Sequence, residues 1–432
     1  MTADPANVPH PDALPNPRGG AVRAADASLA AAADAFARRD DAVAPLAAAA
    51  AVLAEAGWLP AARFAGQLSA AAPLVVTEPT SAVWRIALDD FRAAVARHNL
   101  RELACSPVLF EHFRALRAQS AADLRASAPL DALALVGRAV PPATLRALPD
   151  TFASRARARY EQALLAVLRT PQGTPDAALD ELDATLTALA DGVPYDFWRL
   201  AAACLRALRA SGAPELKRFL ARTNLLLGEH AQGRRSAPPA LVRETLALLW
   251  RDFALFGAAA EDVALVDVLH DYGLTVDWHV AGTPASEALW EADARAEHDA
   301  VAAAPTRTLG VVTVNAHAYE DFLQTADASM ADLAAAPAGA DAGAAWRASA
   351  AAYRVGTAAC ALGLGHAALL ADTLGLAWRR AAHGVPLADG GLDAHARASD
   401  MLRAALLKIA AGVAPPDLTA ASGALGAALD RA

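Results

Sequence analysis

The chain has 432 residues, a formal net charge of −9, 55% hydrophobic residues and only 6% aromatic residues. Much of the hydrophobic fraction is alanine, the best helix former, whereas sheets favour β-branched and aromatic residues, so an all-α fold is predicted. A net negative chain without a basic tract lacks the electrostatic footprint of a nucleic-acid-binding protein.

The three cysteines, Cys105, Cys204 and Cys360, are scattered and form no Cys-x-x-Cys pair. This argues against a disulfide framework and a cysteine zinc site, and it fits a reducing compartment such as the cytoplasm. Residues 1–23 contain many prolines and no apolar run, so we expect a disordered leader and not a signal peptide.

Apolar residues at helical spacing predict an N-terminal helical bundle over residues 24–127. Its predicted helices are Ala27–Arg39, Ala42–Glu55, Leu59–Ala71, Thr80–His98 and Pro107–Gln119. A proline-bearing connector leads to a middle helical domain over residues 150–268. The helices predicted there are Phe152–Leu168, Pro175–Ala190, Tyr195–Ala210, Pro214–Glu229 and Pro239–Phe256. The apolar spacing from Trp198 to Leu208 predicts one core-facing stripe.

Residues 269–314 are predicted to form a linker. Two short stretches in it, Leu274–Val280 and Leu309–Val314, have an extended pattern and are either free or paired as a small hairpin. Trp278 and Trp290 lie in or beside this linker. Because aromatic residues are enriched at binding hot spots, both are candidates for an interaction surface.

A C-terminal four-helix bundle is predicted over residues 315–412, with Asn315 as the N-cap of its first helix, which begins at Ala316. The other three predicted helices are Ala344–Leu362, His366–His383 and Leu392–Ala411. The tail, residues 413–432, adds one short helix or frays.

The most hydrophobic window, Val355–Trp378, is long enough to span a bilayer. It contains His366 and Asp372, however, and a glycine turn at Gly363 breaks it into two helices. We therefore expect two buried bundle helices and a protein that is peripheral to a membrane at most.

A weak internal repeat links the two outer bundles. Leu46–Leu68 aligns with Ala352–Leu374 without a gap, so that Gly57 meets Gly363. Both segments consist of a helix, a glycine-marked turn and a second helix with small residues towards the first, a pattern that allows close approach of the backbones.

This helix–glycine-turn–helix pattern resembles histidine phosphotransfer (HPt) domains, whose acceptor helix reads His-x-x-Lys-Gly with a further glycine six residues on. When Gly363 is placed on that further glycine, Tyr353 falls on the histidine position and Gly356 on the lysine position. In the N-terminal copy, Ala47 falls on the histidine position. The resemblance implies two HPt-like bundles that have lost the phosphoacceptor.

The middle domain narrows the resemblance. Its segments ARARYEQALLAVLR, YDFWRLAAACLRALR, LKRFLARTNLLLGEHAQG, PPALVRETLALLW and DYGL are similar to the N-terminal region of the large CheA-type hybrid histidine kinases that control type IV pili. They are also similar to the stand-alone FimL-type proteins. The resemblance implies a non-catalytic region that connects response regulators and polar scaffold proteins to twitching motility.

The sequence contains none of the common motifs of catalytic sites. It contains no Gly-x-Ser-x-Gly and no phosphate loop, and no His-Glu-x-x-His or Glu-x-x-His pairing that would bind a metal. We therefore predict no cofactor and no metal. Tyrosine, with a pKa near 10, is a poor replacement for an acceptor histidine, and His317 and His366 are interpreted as residues at helix starts.

Three functional hypotheses follow. The first is a signalling scaffold in the cytoplasm, with recruitment to the cell pole, whose HPt-like bundles dock a response-regulator receiver domain or a polar scaffold protein without accepting phosphate. The candidate docking residues are Tyr353, Arg354, Gly356 and His366. The second is the N-terminal regulatory portion of a larger hybrid histidine kinase, and the third is a small-ligand sensor with a cavity in a bundle.

Overall fold

Helices account for nearly all the regular structure of the described residues, as the composition predicted. The computed structural model describes residues 22–75, 77–96, 100–120, 130–170, 175–211, 215–256, 263–275, 306–334, 336, 341–388 and 390–431. The predicted leader up to residue 21 and the part of the predicted linker with Trp278 and Trp290 lie outside these residues.

Among its described residues, the N-terminal bundle has six α-helices: α1 Arg23–Ala37, α2 Val43–Glu55, α3 Leu59–Ala71, α4 Glu78–Ala96, α5 Leu100–Cys105 and α6 Pro107–Ser120. A short 3-10 helix, Ala72–Leu74, follows α3. Large aromatic side chains fill the space between them. Phe64 and Phe91 stack with ring centroids 4.6 Å apart, and the Trp84 indole donates a hydrogen bond to the carbonyl of Leu68 at 3.1 Å. The helices are thus held by a core that includes satisfied polar atoms.

The described residues of the middle region form seven helices: α7 Asp131–Ala134, α8 Asp150–Arg169, α9 Asp176–Leu189, α10 Phe197–Ser211, α11 Leu216–Ala231, α12 Pro239–Phe256 and α13 Val263–Asp271. The apolar stripe of α10 from Trp198 to Leu208 is buried, as predicted. Residues of this region form most of a second core, which also includes Ala104, Cys105 and Phe110 of α5 and α6.

The C-terminal region opens with a hairpin of two antiparallel strands, β1 Thr306–Leu309 and β2 Val312–Asn315. The stretch Leu309–Val314, predicted to be one extended piece, is therefore not a single strand: it contains the turn of the hairpin at Gly310, where φ is +63°. Four helices follow with alternating direction: α14 Ala316–Ala334, α15 Ala342–Ala361, α16 Gly365–Ala382 and α17 Gly391–Ala410. The last helix, α18 Thr419–Asp430, packs on α16 and α17.

The N-terminal and C-terminal bundles share one hydrophobic core. Leu53 and Phe64 from the first bundle belong to the same buried cluster as Leu364 and Leu402 from the second. The first and last thirds of the chain are therefore packed together, and the middle region lies against both. Among the described helices, none is both long enough and apolar enough to cross a bilayer.

Candidate functional site

The turn between α2 and α3 and the turn between α15 and α16 have the same backbone geometry. Gly57 has φ of +76° and Gly363 has φ of +73°, values that favour glycine. After each glycine the next amide donates back into the preceding helix, from Trp58 to the Leu53 carbonyl at 2.8 Å and from Leu364 to the Ala359 carbonyl at 2.9 Å. The repeat seen in the sequence thus corresponds to a repeated helix–turn–helix unit.

These two turns are in direct contact. The Trp58 indole nitrogen donates to the carbonyl of Gly363 at 2.7 Å, and Nε2 of His366 donates to the carbonyl of Glu55 at 2.9 Å. A Cβ on Gly365 would overlap with the backbone of Gly57, so only glycine permits this approach. His366 is therefore a buried residue that joins the two bundles.

Tyr353, at the position aligned with the phosphoacceptor, is buried. Its hydroxyl donates to the carbonyl of His270 at 2.6 Å, and its ring stacks on the His270 ring with centroids 5.3 Å apart. The other side of the ring lies against Gly375, where no Cβ would fit. Burial raises the pKa of Tyr353 well above its ordinary value of 10.0, so this hydroxyl stays protonated.

Gly356, aligned with the lysine position, leaves room for a buried carboxylate. A Cβ at this position would overlap with Asp372, whose side chain forms an ion pair with Arg138 of the segment after α7 at 3.0 Å. The Arg138 guanidinium also lies over the ring of Trp250, 4.8 Å from its centroid. The small residue thus allows an ion pair between the C-terminal bundle and the middle region.

Arg354 differs from these neighbours because its side chain is half-exposed. It forms an ion pair with Asp332 of α14 at 2.8 Å on the surface of the C-terminal bundle. Of the four predicted docking residues, Arg354 alone presents its side chain to solvent, whereas Tyr353, Gly356 and His366 are buried. Ala47, the vestigial acceptor position of the N-terminal bundle, is exposed on α2.

A buried carboxylate, which the sequence analysis did not single out, joins the middle region to the C-terminal bundle. Asp271 at the end of α13 accepts from Arg199 at 2.9 Å, from Arg379 at 2.6 Å and from His383 at 3.0 Å. Burial alone would lower the pKa of Arg379, but the charge and hydrogen bond of Asp271 outweigh it and raise that pKa. No local sequence motif predicts this cluster, because Arg379 lies 108 residues from Asp271.

A cavity between the paired turns, α5 and Trp250 has a volume of about 50 Å³ and is mostly apolar, so it offers little room for a ligand. Within the described part of the chain, no group of three His, Cys, Asp or Glu side chains is placed to hold a metal ion. What the arrangement does chemically is to hold three helical units together through hydrogen bonds and ion pairs.

The comparison with protein families matches residues 146–277 to the family model described as FimL scaffold protein second domain. The match spans helices α8 to α13, and it confirms for this part of the chain the resemblance to FimL-type proteins. No curated protein and no solved structure matches the chain.

Proposed function

We propose that this chain is a non-catalytic scaffold protein of a chemosensory two-component pathway that controls type IV pili and twitching motility. The observation that supports it is the match of residues 146–277 to the second domain of the FimL scaffold protein. In this proposal the protein acts in the cytoplasm, is recruited to the cell pole, and docks a receiver domain or a polar scaffold protein.

The aligned acceptor positions support docking without phosphotransfer. A phosphoacceptor must expose a nucleophilic atom with a free lone pair, such as the unprotonated ring nitrogen of histidine, and a tyrosine hydroxyl would in addition have to lose its proton. The Tyr353 hydroxyl instead is buried and donates to the His270 carbonyl, and Ala47 has no nucleophile. The proposal therefore assigns to the two outer bundles an HPt-like shape without the HPt reaction.

Arg354 is the docking residue of choice in this proposal, because it is the exposed member of the predicted set. A guanidinium suits the acidic surface of a receiver domain. Tyr353, Gly356 and His366 then contribute indirectly, by fixing the helix that carries Arg354. We expect Arg354→Ala to weaken partner binding by about fivefold or more, the effect of an interface residue worth about 1 kcal/mol.

The test combines two measurements on the full-length chain. The first is a phosphotransfer assay with the cognate chemosensory kinase core and its response regulators, and the second is a pull-down of the same regulators. We expect binding without label on this chain, with reduced binding by Arg354→Ala. A matched control is Arg38→Ala, which removes another exposed arginine, paired with Asp40 on the N-terminal bundle.

Acid-labile label on this chain would overturn the non-catalytic proposal. If Arg354→Ala and Arg38→Ala bind the regulators equally well, the docking face does not lie on α15. The alternative, a regulatory portion of a larger hybrid histidine kinase, predicts a much heavier protein in cells than the 44.4 kDa of this chain. An immunoblot of the native protein distinguishes these two possibilities.

A further inference from the structure

An apolar groove runs between α14 and α17 on the side of the C-terminal bundle. Its volume is about 460 Å³, and it is lined by small and apolar side chains, including Leu323, Met330, Leu406 and Leu407, together with Asp327 and Arg403. The two helices touch mainly at one end, where the Tyr319 hydroxyl bonds to the carbonyls of Ile409 and Ala410. From that point the helices leave a groove open to solvent in the described part of the chain.

The exposure of Leu407 is costly unless something covers it. This side chain is 65% exposed on the wall of the groove, where Leu323 and Met330 of α14 are also partly exposed. A contiguous exposed apolar patch with a polar rim marks an interaction site more often than a scattered surface leucine does.

The two walls carry opposite charge. Helix α14 contributes Asp327 to the wall of the groove, and Glu320, about two helical turns earlier, lies on the same side, while the helix contains no lysine or arginine. The last ten residues of α17, after Asp400, contain Arg403 and Lys408 and no acidic residue. A surface with one acidic wall and one basic wall is complementary to itself when a second copy is turned so that the walls exchange places.

The charges also lie at matching levels along the groove. Tyr319 marks the level of Ile409, and the two helices run in opposite directions. With about 1.5 Å of rise per residue, Glu320 lies near the level of Lys408, and Asp327 lies within about one helical turn of Arg403. A two-fold axis parallel to the helices places α14 of the second copy on α17 of the first copy at these levels. The acidic residues of one copy then face the basic residues of the other. A perpendicular axis in the interface plane would place α14 on α14 and is disfavoured by charge.

We propose that the groove between α14 and α17 is the interface of a symmetric homodimer, in which Leu407 of each copy enters the groove of the other. The interface adds a second function to the C-terminal bundle, because it makes the protein bivalent for any partner docked elsewhere. Two adjacent helices about 28 Å long and about 10 Å wide bury roughly 1,100 Å² in total, which is near the lower limit of a specific interface. The dimer is therefore expected to dissociate on dilution.

The test measures the mass of the full-length chain by sedimentation velocity over a dilution series around roughly micromolar concentration, where small interfaces dissociate. We expect twice the chain mass of 44.4 kDa at high concentration and the chain mass at low concentration. Leu407→Glu is expected to raise the dissociation constant by about tenfold or more, because it places a charge in an apolar contact. The matched control is Leu225→Glu, at an exposed leucine of α11 that is outside the groove.

A charge exchange tests the orientation of the two copies. Asp327→Arg and Arg403→Asp are each expected to weaken the dimer, and the double variant is expected to restore it. All these positions are exposed, so the variants should fold, which circular dichroism checks. A chain that is monomeric at every concentration would overturn the proposal and would leave the groove to another occupant, such as residues 276–305 or a partner helix. A dimer that Leu407→Glu leaves unchanged would equally overturn it.

Discussion

His230 is a buried histidine whose two ring nitrogens are both used in the core of the middle region. The Trp198 indole donates to Nδ1 at 3.1 Å, so the ring proton is on Nε2, which donates to the carbonyl of Arg146 at 2.8 Å. Burial is the main cause that lowers the pKa of His230, and the nearby Arg235 and Arg146 lower it further. Protonation of Nδ1 would break the bond to Trp198, so the folded protein holds the neutral ring.

This histidine predicts that acid weakens the fold. The pKa of His230 in the folded protein is lower than its ordinary value of 6.5. At a pH between these two pKa values, the unfolded chain therefore binds more protons than the folded protein. Its full contribution is present above about pH 6.5 and is lost as the pH falls towards the folded-state pKa, at a cost on the order of 1 kcal/mol. The urea midpoint measured from about pH 7.5 to about pH 5.5, across the ordinary histidine pKa, checks this.

The variant His230→Gln provides the comparison for that experiment. The glutamine variant is expected to be less stable than the wild type at neutral pH. Because glutamine does not titrate, the stability of the variant should change less with pH. The pKa of His395 is also lowered by burial, so this residue contributes to the pH dependence of stability in the wild type and in the variant alike. An equal slope in the wild type and in His230→Gln would contradict the assignment.

At the scale of elements, local signals predicted most of the helices within a few residues. The helix Leu59–Ala71 has the predicted bounds, and so does Pro239–Phe256, because proline and glycine mark the ends. Helices α5, α7 and α13 were not predicted. The stretch at α13, Val263–Asp271, is short, and it is stabilised by contacts with α10, α12 and α16 that a local pattern does not reveal.

The candidate site was predictable only in part, because its contacts join residues that are far apart in the sequence. Glycine spacing alone indicated that Gly57 and Gly363 are equivalent, since a positive φ has a sequence signature. The burial of Tyr353 depends on His270, 83 residues away, and no periodicity encodes such a contact. A helix face with an aromatic residue therefore looked like a docking surface, although another helix covers it.

The paired turns lead to a second prediction. Gly365→Ala is expected to destabilise the protein by about 2 kcal/mol, because the added Cβ meets the backbone of Gly57, which cannot move as a side chain can. The matched control is Gly66→Ala within α3, where nothing lies within 4 Å of the new atom. Alanine is the better helix former, so this control should be stabilised by about 0.5–1 kcal/mol. Urea denaturation of both variants measures the difference, and equal midpoints would refute the close packing of the turns.

At the scale of the whole molecule, Asp271 holds the middle region on the C-terminal bundle. Its carboxylate is 2% exposed and is shared by Arg199 and Arg379 from two different helices. Removing one partner of a buried ion pair leaves the other charge uncompensated, which is more costly than breaking a surface pair. Asp271 therefore acts at this junction beside the Tyr353–His270 hydrogen bond and the Arg138–Asp372 ion pair.

We expect Asp271→Asn to destabilise the protein by about 3 kcal/mol, with little dependence on salt, because a buried pair is weakly screened. Asp332→Asn is the control, since it breaks the half-exposed pair with Arg354 and should cost less than about 1 kcal/mol. Thermal and urea denaturation at low and high salt measure both variants. A similar loss for the two would show that the buried cluster contributes no more than a surface pair.

The hydrogen bond from Trp58 to Gly363 spans 305 residues of sequence, and this separation has a consequence for synthesis in the cell. A ribosome that adds about 5–20 residues per second needs roughly 15–60 s to make that stretch. During this time the first bundle is outside the ribosome without Leu364 and Leu402, which complete its core. The nascent chain therefore exposes apolar helix faces for most of its translation, and chaperones that shield such faces become part of how this protein reaches its fold.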